Sequence, residues 1–491
     1  MGPMTSRTFF DPDQLAFAHL SGDFNPMHVD RLVARRLLFG RPVVHGVHAL
    51  LWSLDEWCDA HQQPVVVEEM RVDFQRPIRV DESVRFELRA GEQERTELVL
   101  HSQGRTAARV RIRWSYDAAT RAAPALLDSG PPQEKQCMEH SEQDLEGCSG
   151  MLPLHLPRSE AEMLFPRALQ WLRPEFIAVL LASTRLVGME CPGLHSLYSH
   201  LTLTTSPATR QSSDPWVLGY RVESVDSRFR LATVRLDSVG LSGSLRAFVR
   251  PAPRRQIDFQ VAQSTVIPGV FRGRRAWVVG GSRGLGEVAA KLLAAAGASV
   301  CITYHHGADD AERVASEIRR GGGVAEIRAL DVLDLSDSLV DGEQCRGGPT
   351  DLLYFATPFI TPGESGKFSG KLFDDFSRYY VHGFVDLVNA LVPHGLKRVL
   401  YPSSIYVEDP PENFAEYAAA KAAGEVACAA LGKWHRDLVI NRPRWPRLAT
   451  DQTVSLTAVE GSGADPVPLV WAALNPEGSP PVHQRGVEMV V

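Results

Sequence analysis

The sequence predicts two successive α+β blocks, each a long helix wrapped by an antiparallel sheet, followed by an α/β domain on a parallel sheet. Three observations carry this. Between residues 44 and 114 a helix with one apolar face is followed by runs of alternating apolar and polar residues. The same order returns between residues 175 and 249. From residue 268 onward strand and helix alternate around a glycine-rich turn. At roughly 150 residues per domain, the 491 residues accord with about three domains.

Residues 1–118 open with Asp11-Pro12, a cap followed by proline at the first helical position. Val43, Val47, Leu50, Leu51, Leu54 and Trp57 recur at helical spacing and predict a helix over 44–59. Period-two runs at Val84–Leu88, Glu97–Leu100 and Ala108–Trp114 predict strands. Residues 119–155 carry Pro131-Pro132, acids and small residues without a sustained period, and are expected to be a linker. Residues 156–255 repeat the first block: a helix at Glu175–Val187, then strands at Val217–Val225, Phe229–Asp237 and Gly243–Val249. The repeat of pattern suggests an internal duplication. In residues 268–491, Ala276–Val279, Gly286–Ala296, Ser299–Thr303 and Ala311–Arg320 alternate strand with helix.

Composition narrows the function classes. The formal charge is −7, 23% of residues are charged and 44% are hydrophobic, an ordinary globular balance. Without a Lys/Arg-rich run, a mildly acidic chain is a poor nucleic-acid binder. The seven cysteines show no CxxC and no zinc spacing, which argues for a reducing compartment and against a disulfide framework or structural metal. No apolar run reaches the roughly 18 residues needed to span a bilayer, and no membrane partner is expected. The first residues, MGPMTSR, lack a signal-peptide core, and their M-G-x-x-x-S match to the myristoylation pattern is read as coincidence. A cytoplasmic enzyme is the expectation.

The first chemical motif is GDFNPMH, residues 22–28. Pro26 disfavours helix at Asn25 and forces a turn, which can bring the carboxylate of Asp23 and the imidazole of His28 toward one point. Such a pair can hold a water and move its protons. FGRPVVHG, residues 39–46, then leads into the apolar helix, whose first N–H groups can face a developing oxyanion. With FQRP at 74–77, these segments resemble the MaoC-like, (R)-specific enoyl-CoA hydratases, which have a hot-dog fold. The resemblance covers about the first 115 residues. It implies syn hydration of a trans-2-enoyl thioester or its reverse, with Asp23 and His28 as the catalytic pair. It also implies that Asn25 fixes the pair and that the Gly46 amide polarises the thioester. His45 and His48 are read as structural. The second block has no Asp/His pair and is expected to be the degenerate half of a double hot-dog, shaping the acyl tunnel.

The second motif is VVGGSRGLG, residues 278–286, between a strand and an Ala/Leu-rich helix. Glycines there allow a tight turn and let the backbone approach a pyrophosphate at the helix N-terminus. Near the end, YAAAK places Tyr417 and Lys421 four apart on one helix face, thirteen residues after Ser404. A neighbouring ammonium favours a phenolate, so Tyr417 is expected to exchange a proton at neutral pH.

Together these residues resemble the short-chain dehydrogenase/reductase family, a Rossmann fold, over about 270–490. The resemblance implies a catalytic set of Ser404, Tyr417 and Lys421. It implies cofactor contacts from Gly280, Ser282, Arg283, Gly284, Leu285, Gly286, His305, Asp331, Val332 and Ala356, with Tyr417 and Lys421. The second strand ends in Tyr304-His305-His306 with no carboxylate for a ribose diol, while Arg283 can meet a 2′-phosphate, so NADP(H) is the expected cofactor. Three positions depart from the family pattern: Tyr380 for its usual Asn, FAT at 355–357 for N-A-G, and WPR at 445–447 for its Pro-Gly.

A reductase of 3-ketoacyl thioesters and a dehydratase of 3-hydroxyacyl thioesters perform consecutive steps, and fusion raises the local concentration of the intermediate. The expected substrate is an acyl thioester on acyl carrier protein or CoA, and the expected assembly is a homodimer. The alternatives are an active hydratase with a non-catalytic nucleotide-binding domain, a degradative hydratase/dehydrogenase, and a non-enzymatic module that docks carrier proteins.

Overall fold

Ten strands form one antiparallel sheet in the order β1-β3-β4-β5-β2-β7-β10-β9-β8-β6. They are β1 (Thr5–Thr8), β2 (Val65–Phe74), β3 (Ser83–Ala90), β4 (Arg95–Ser102), β5 (Arg105–Tyr116), β6 (Ser149–Pro153), β7 (Ser196–Thr205), β8 (Val217–Asp226), β9 (Leu231–Ser238) and β10 (Leu241–Val249). The order is symmetric about the β2–β7 seam, with each strand of the first half matched by its counterpart in the second. This is the twice-repeated antiparallel arrangement that the sequence pattern predicts. The structure, a computed structural model, describes residues 5–91, 94–117, 132, 134–205, 216–238, 240–335, 348–451 and 463–476. The chain divides into two compact units, with the division between Ala252 and Pro253.

Each half wraps one long helix, Gly46–Cys58 in the first and Pro174–Arg185 in the second. Val47, Leu50, Leu51 and Leu54 on one helix and Ile177, Leu180 and Leu181 on the other are at most 1% exposed. They belong to one continuous apolar cluster that includes residues of both halves. At about 1.5–3 kcal/mol per buried aliphatic side chain, this shared burial stabilises both halves.

The two strands at the seam have no counterpart among the sequence-predicted strands. In β2 the inward positions are Val65 and Val67, then Met70 and Val72, because a bulge at Val67/Glu69 shifts the phase by one residue. A bulge breaks the period on which a sequence pattern depends. In β7 only Leu201 and Leu203 are deeply buried apolar residues within a Ser/Thr-rich run. Across the seam Met70 pairs with Leu203 and Val72 with Leu201, and His200 Nδ1 lies 2.7 Å from Asp73 Oδ1.

Two further differences bear on the site. The described part of the expected linker contains β6, the edge strand beside β8, and a stretch bonded to the second half, with the Met138 amide donating to the Met189 carbonyl at 2.8 Å and that of Leu194 to Met138 at 2.8 Å. The second-half helix does not stop at its α-helical end. It continues as a π-helical turn, Leu186–Glu190.

The second unit holds a parallel sheet in the order β13-β12-β11-β14-β15-β17. Its strands are β11 (Arg275–Val279), β12 (Ser299–Tyr304), β13 (Val324–Ala329), β14 (Asp351–Tyr354), β15 (Arg398–Leu400) and β17 (Val439–Asn441), with the short pair β16 (Ser403–Ser404) and β18 (Arg444–Trp445) beyond β15 and β17. The order reverses between β11 and β14, the doubly wound Rossmann arrangement that leaves a ligand crevice at the carboxyl ends of the strands. Lys291 is buried in this unit between Glu287 at 2.9 Å and Glu317 at 2.8 Å, and donates to the Ile257 carbonyl at 2.8 Å, joining the helices Gly284–Ala295 and Ala308–Arg320 to the segment that precedes the helix Phe259–Thr265.

Candidate active sites

In the first unit the helix Asp11–Ser21 ends at Gly22, whose positive φ of 77° turns the chain into Asp23. Asn25 caps the short helix Pro26–Val29, its Oδ1 accepting from the Met27 amide at 3.1 Å. That turn buries Asp23, Asn25 and His28 together. One ligand-type atom from each of Asp23, His28 and His45 lies within 4.8 Å of the others.

The tautomer of His28 follows from its partner. Nδ1 lies 2.7 Å from the Val43 carbonyl, which only accepts, so Nδ1 carries the hydrogen and Nε2 keeps its lone pair. Burial, with help from His45, pushes its pKa down to about 3, so the ring is neutral. Burial acts on Asp23 in the opposite sense and raises its carboxyl above the usual value, against the opposing pull of His28, Thr184 and Asn25. A neutral imidazole with a free lone pair and a carboxylate of raised basicity can share the two protons of one water. The Gly46 amide opens the helix Gly46–Cys58, and a Cβ there would lie 3.0 Å from the Phe74 ring. The first amides of a helix have no intrahelical acceptor and suit a carbonyl oxygen that gains charge.

His45, read as structural, is fully buried beside the pair. Its ring stacks on His28 at 3.9 Å between centroids, and its Nε2 lies 2.9 Å from the Asp23 carbonyl. Nδ1 lies 3.0 Å from Gln14 Oε1, so both ring nitrogens are engaged. His48 keeps the expected role, stacked on Phe17 with a centroid distance of 4.6 Å.

Four residues escaped the sequence reading: Gln14, Thr184, Gly188 and Arg250. The Thr184 hydroxyl donates to Asp23 Oδ2 at 2.7 Å. Asn25 Nδ2 donates to the Gly188 carbonyl at 2.9 Å. Arg250 is buried, donates to the Ser196 and Leu194 carbonyls, and further disfavours charge on His28. Burial, with the Asp23 charge adding to it, pushes the Cys137 thiol up to about 11, and Cys428 interacts with Lys421.

In the second unit the expected cofactor residues follow successive strand ends: Gly280 after β11, His305 after β12, Asp331 and Val332 after β13, Ala356 after β14. Gly280 has φ of 76°, and a Cβ on it would meet the Phe355 carbonyl at 3.0 Å. A Cβ on Gly286 would lie 2.9 Å from the Gly280 carbonyl carbon. This tight cradle, followed by the helix Gly284–Ala295, fits a pyrophosphate. Ser282 is buried in the turn and Leu285 packs on the core. Arg283 lies 3.9 Å from Asp451, and Asp331 Oδ2 lies 3.3 Å from His305 Nε2.

Ser404 stands in β16, and Tyr417 and Lys421 on the helix Ala415–Trp434. Tyr417 is pushed up to about 12 by burial, while its bond with Ser404 pulls the other way. The expected depression by Lys421 is absent among these causes. Lys421 donates to the Pro402 carbonyl at 2.7 Å and lies over the Tyr380 ring, and burial pulls its ammonium down to about 7. Tyr380 sits in a π-helical turn, Arg378–Gly383. Such a turn frees carbonyls; those of Tyr379 and Tyr380 accept from the phenols of Tyr354 at 2.7 Å and Tyr401 at 3.0 Å. The Tyr380 hydroxyl is 2.5 Å from Thr357 Oγ1.

Comparison with known proteins finds a family model in each unit. The family model "MaoC like domain" matches residues 3–108 and "short chain dehydrogenase" matches residues 274–439. The chain is 36% identical over 86 residues to the (R)-specific enoyl-CoA hydratase of Aeromonas caviae, covering 17% of this chain and 63% of that protein. It is 36% identical over 116 residues to the short chain dehydrogenase claC of Passalora fulva, covering 23% and 43%. A solved 3-oxoacyl (acyl-carrier-protein) reductase from Agrobacterium tumefaciens C58 with NADP bound is 22% identical, covering 42% of this chain and 87% of that one, with a TM-score of 0.38. The chain spans between 43% and 63% of the length of the curated relatives it matches. Two domains are thus shown, a MaoC-like domain at the N-terminal end of this chain and a short chain dehydrogenase domain toward the C-terminal end.

Proposed function

We propose that the chain is a bifunctional enzyme that dehydrates (R)-3-hydroxyacyl thioesters, or hydrates the enoyl products, and reduces 3-ketoacyl thioesters with NADPH. The observation that carries the reading is the buried pair of Asp23 and neutral His28 beside the first amides of the Gly46–Cys58 helix. In hydration His28 Nε2 accepts a hydrogen bond from the water and orients it, Asp23 takes one water proton as the hydroxyl bonds to C3 and returns that proton to C2, and the Gly46 amide holds the thioester oxygen that carries the charge in between. Similarity to an (R)-specific enoyl-CoA hydratase supports the stereochemistry.

In the second unit NADPH supplies the hydride. Gly280, Gly284 and Gly286 would admit its pyrophosphate, and Arg283 would supply the charge for its 2′-phosphate. Ser404 holds the substrate carbonyl, Tyr417 delivers the proton to its oxygen, and Lys421 supplies positive charge beside them. The preference for NADPH favours reduction, hence fatty-acid-like or polyketide assembly in the cytoplasm, on acyl carrier protein or CoA, by a homodimer. The test is a panel of 3-ketoacyl and enoyl thioesters, followed by NADPH loss and enoyl absorbance together. The reading requires both signals and is refuted by a protein that gives neither.

A second reading is favoured by the engagement of Lys421 with Tyr380 and the Pro402 carbonyl. In it the second unit binds NADPH without turnover and only the hydratase works. NADPH fluorescence that reports binding, with no hydride transfer to any 3-ketoacyl thioester, would establish it.

A further inference from the structure

The second half of the first unit has no counterpart of the GDFNPMH turn in its sequence, and its expected part is to shape the acyl tunnel. It reaches the catalytic carboxylate directly. We propose that Thr184 and Gly188 are positioning residues for Asp23, so that the pair in one half is operative only because the helix end of the other half holds its carboxylate; this rests on the hydratase reading above.

Three contacts point to it. A threonine inside a helix commonly bonds back to its own preceding turn, but the hydroxyl of Thr184, 4% exposed, donates to Asp23 Oδ2 at 2.7 Å. One turn on, a Cβ at Gly188 would lie 2.6 Å from Asp23 Cγ, so the carboxylate occupies the space where any other residue would carry its side chain. The Gly188 carbonyl then accepts from Asn25 Nδ2 at 2.9 Å, locking the turn that carries the acid. The π-helical turn Leu186–Glu190 presents Gly188 this way, since it closes with the Cys191 amide bonded to the Leu186 carbonyl, five residues back.

The groups that face Asp23 can be named from each packed segment. They are Asn25 on its own turn, His28 on the next helix, and His45 at the cap of the Gly46–Cys58 helix. Cys137 lies in the stretch before β6, Thr184 on the second-half helix, and Arg250 after β10, acting through His28. Of these, Thr184 is the side chain that donates a hydrogen bond to Asp23 Oδ2, and a donor to the charged form favours ionisation. Val has the same shape without the donor.

The test is the pH dependence of crotonyl-CoA hydration by the whole chain as wild type, Thr184→Val and Thr184→Ser. The acidic limb, where Asp23 must lose its proton, is expected to move up by about one pH unit in the Val variant. At a pH on that limb this is a loss of about tenfold in kcat with KM nearly unchanged, since one pH unit is a factor of ten in the ionised fraction. The Ser variant keeps the wild-type limb. Gly188→Ala is expected to lose kcat at every pH, because it displaces the carboxylate. A Val variant with the wild-type limb and kcat overturns the inference and leaves the hydratase reading intact. A wild-type protein that hydrates no enoyl thioester overturns that reading instead. The inference is then decided by infrared titration of the Asp23 carboxyl, identified by its absence in Asp23→Asn, for wild type against Thr184→Val.

Discussion

The Lys421 ammonium lies 4.0 Å from the centre of the Tyr380 ring. Tyr380 takes the position where the family resemblance expects an Asn, and the ring offers a π-face in place of an amide. A desolvated cation–π contact is worth about 2 kcal/mol, or more than one pKa unit on the lysine. Removing it makes the ammonium easier to discharge, and burial already pulls that group down to about 7. In Tyr380→Leu the alkaline limb of NADPH-dependent reduction is therefore expected to move down by about one pH unit. Tyr380→Phe, which keeps the ring and loses only the Thr357 contact, is expected to hold the wild-type limb. A pH–rate profile of the three proteins decides; an unmoved limb in the Leu variant refutes the role given to the ring.

The two chemistries are expected to separate by mutation. Asp23→Asn removes the base and is expected to lower enoyl hydration by about 10²–10⁴-fold while leaving NADPH oxidation intact. Tyr417→Phe is expected to do the reverse. Each is read by following both reactions on the same preparation. Loss of both from either change argues against separate sites.

Arg283 opens the helix after the glycine turn and lies 3.9 Å from Asp451. A planar guanidinium suits a phosphate and adds nothing for a bare ribose diol. Arg283→Ala is expected to weaken NADPH by about tenfold or more and leave NADH unchanged, since charge-assisted bonds are the strong ones. Titration of both nucleotides by fluorescence checks it, and an equal loss for the two would refute the assignment of the 2′-phosphate to this residue.

Lys291 is 1% exposed and paired with two carboxylates. Removing one partner from a buried ionic cluster costs about 3–5 kcal/mol when it leaves charge uncompensated; here Arg313 still holds Glu287 at 3.0 and 2.9 Å, so the lower figure, about 3 kcal/mol, applies. Lys291→Ala is expected to destabilise the reductase unit by that amount in denaturant unfolding followed by NADPH binding, and to spare hydration. A change below about 1 kcal/mol, the size typical of an exposed pair, would show that the cluster contributes little.

Much of this was legible in the residues alone. Asp23, Asn25 and His28 lie within six positions of one turn, so local geometry around Pro26 suffices to bring them together. The glycine turn and the Tyr417/Lys421 spacing are likewise short-range, set by one turn or one helix face. The duplication was readable because most strands keep their period. The seam strands were not, because the bulge in β2 shifts the phase and β7 is rich in Ser and Thr.

What the sequence determined by itself is the identity of the chemical groups and the local turns that carry them. What only the tertiary structure decided is the company those groups keep. Thr184 and Gly188 stand more than 160 positions from Asp23, Arg250 lies beyond the last strand of the other half, and Tyr380 meets Lys421 across two helices. No pattern of spacing reports contacts made between distant elements. Burial in the folded core then sets the charge: it leaves His28 neutral and raises Asp23, and it pushes Tyr417 up where the nearby lysine alone suggests a fall. The physical reason is common to all of these. A charge loses its water only when the chain is folded, and that loss outweighs the effect of any one neighbour.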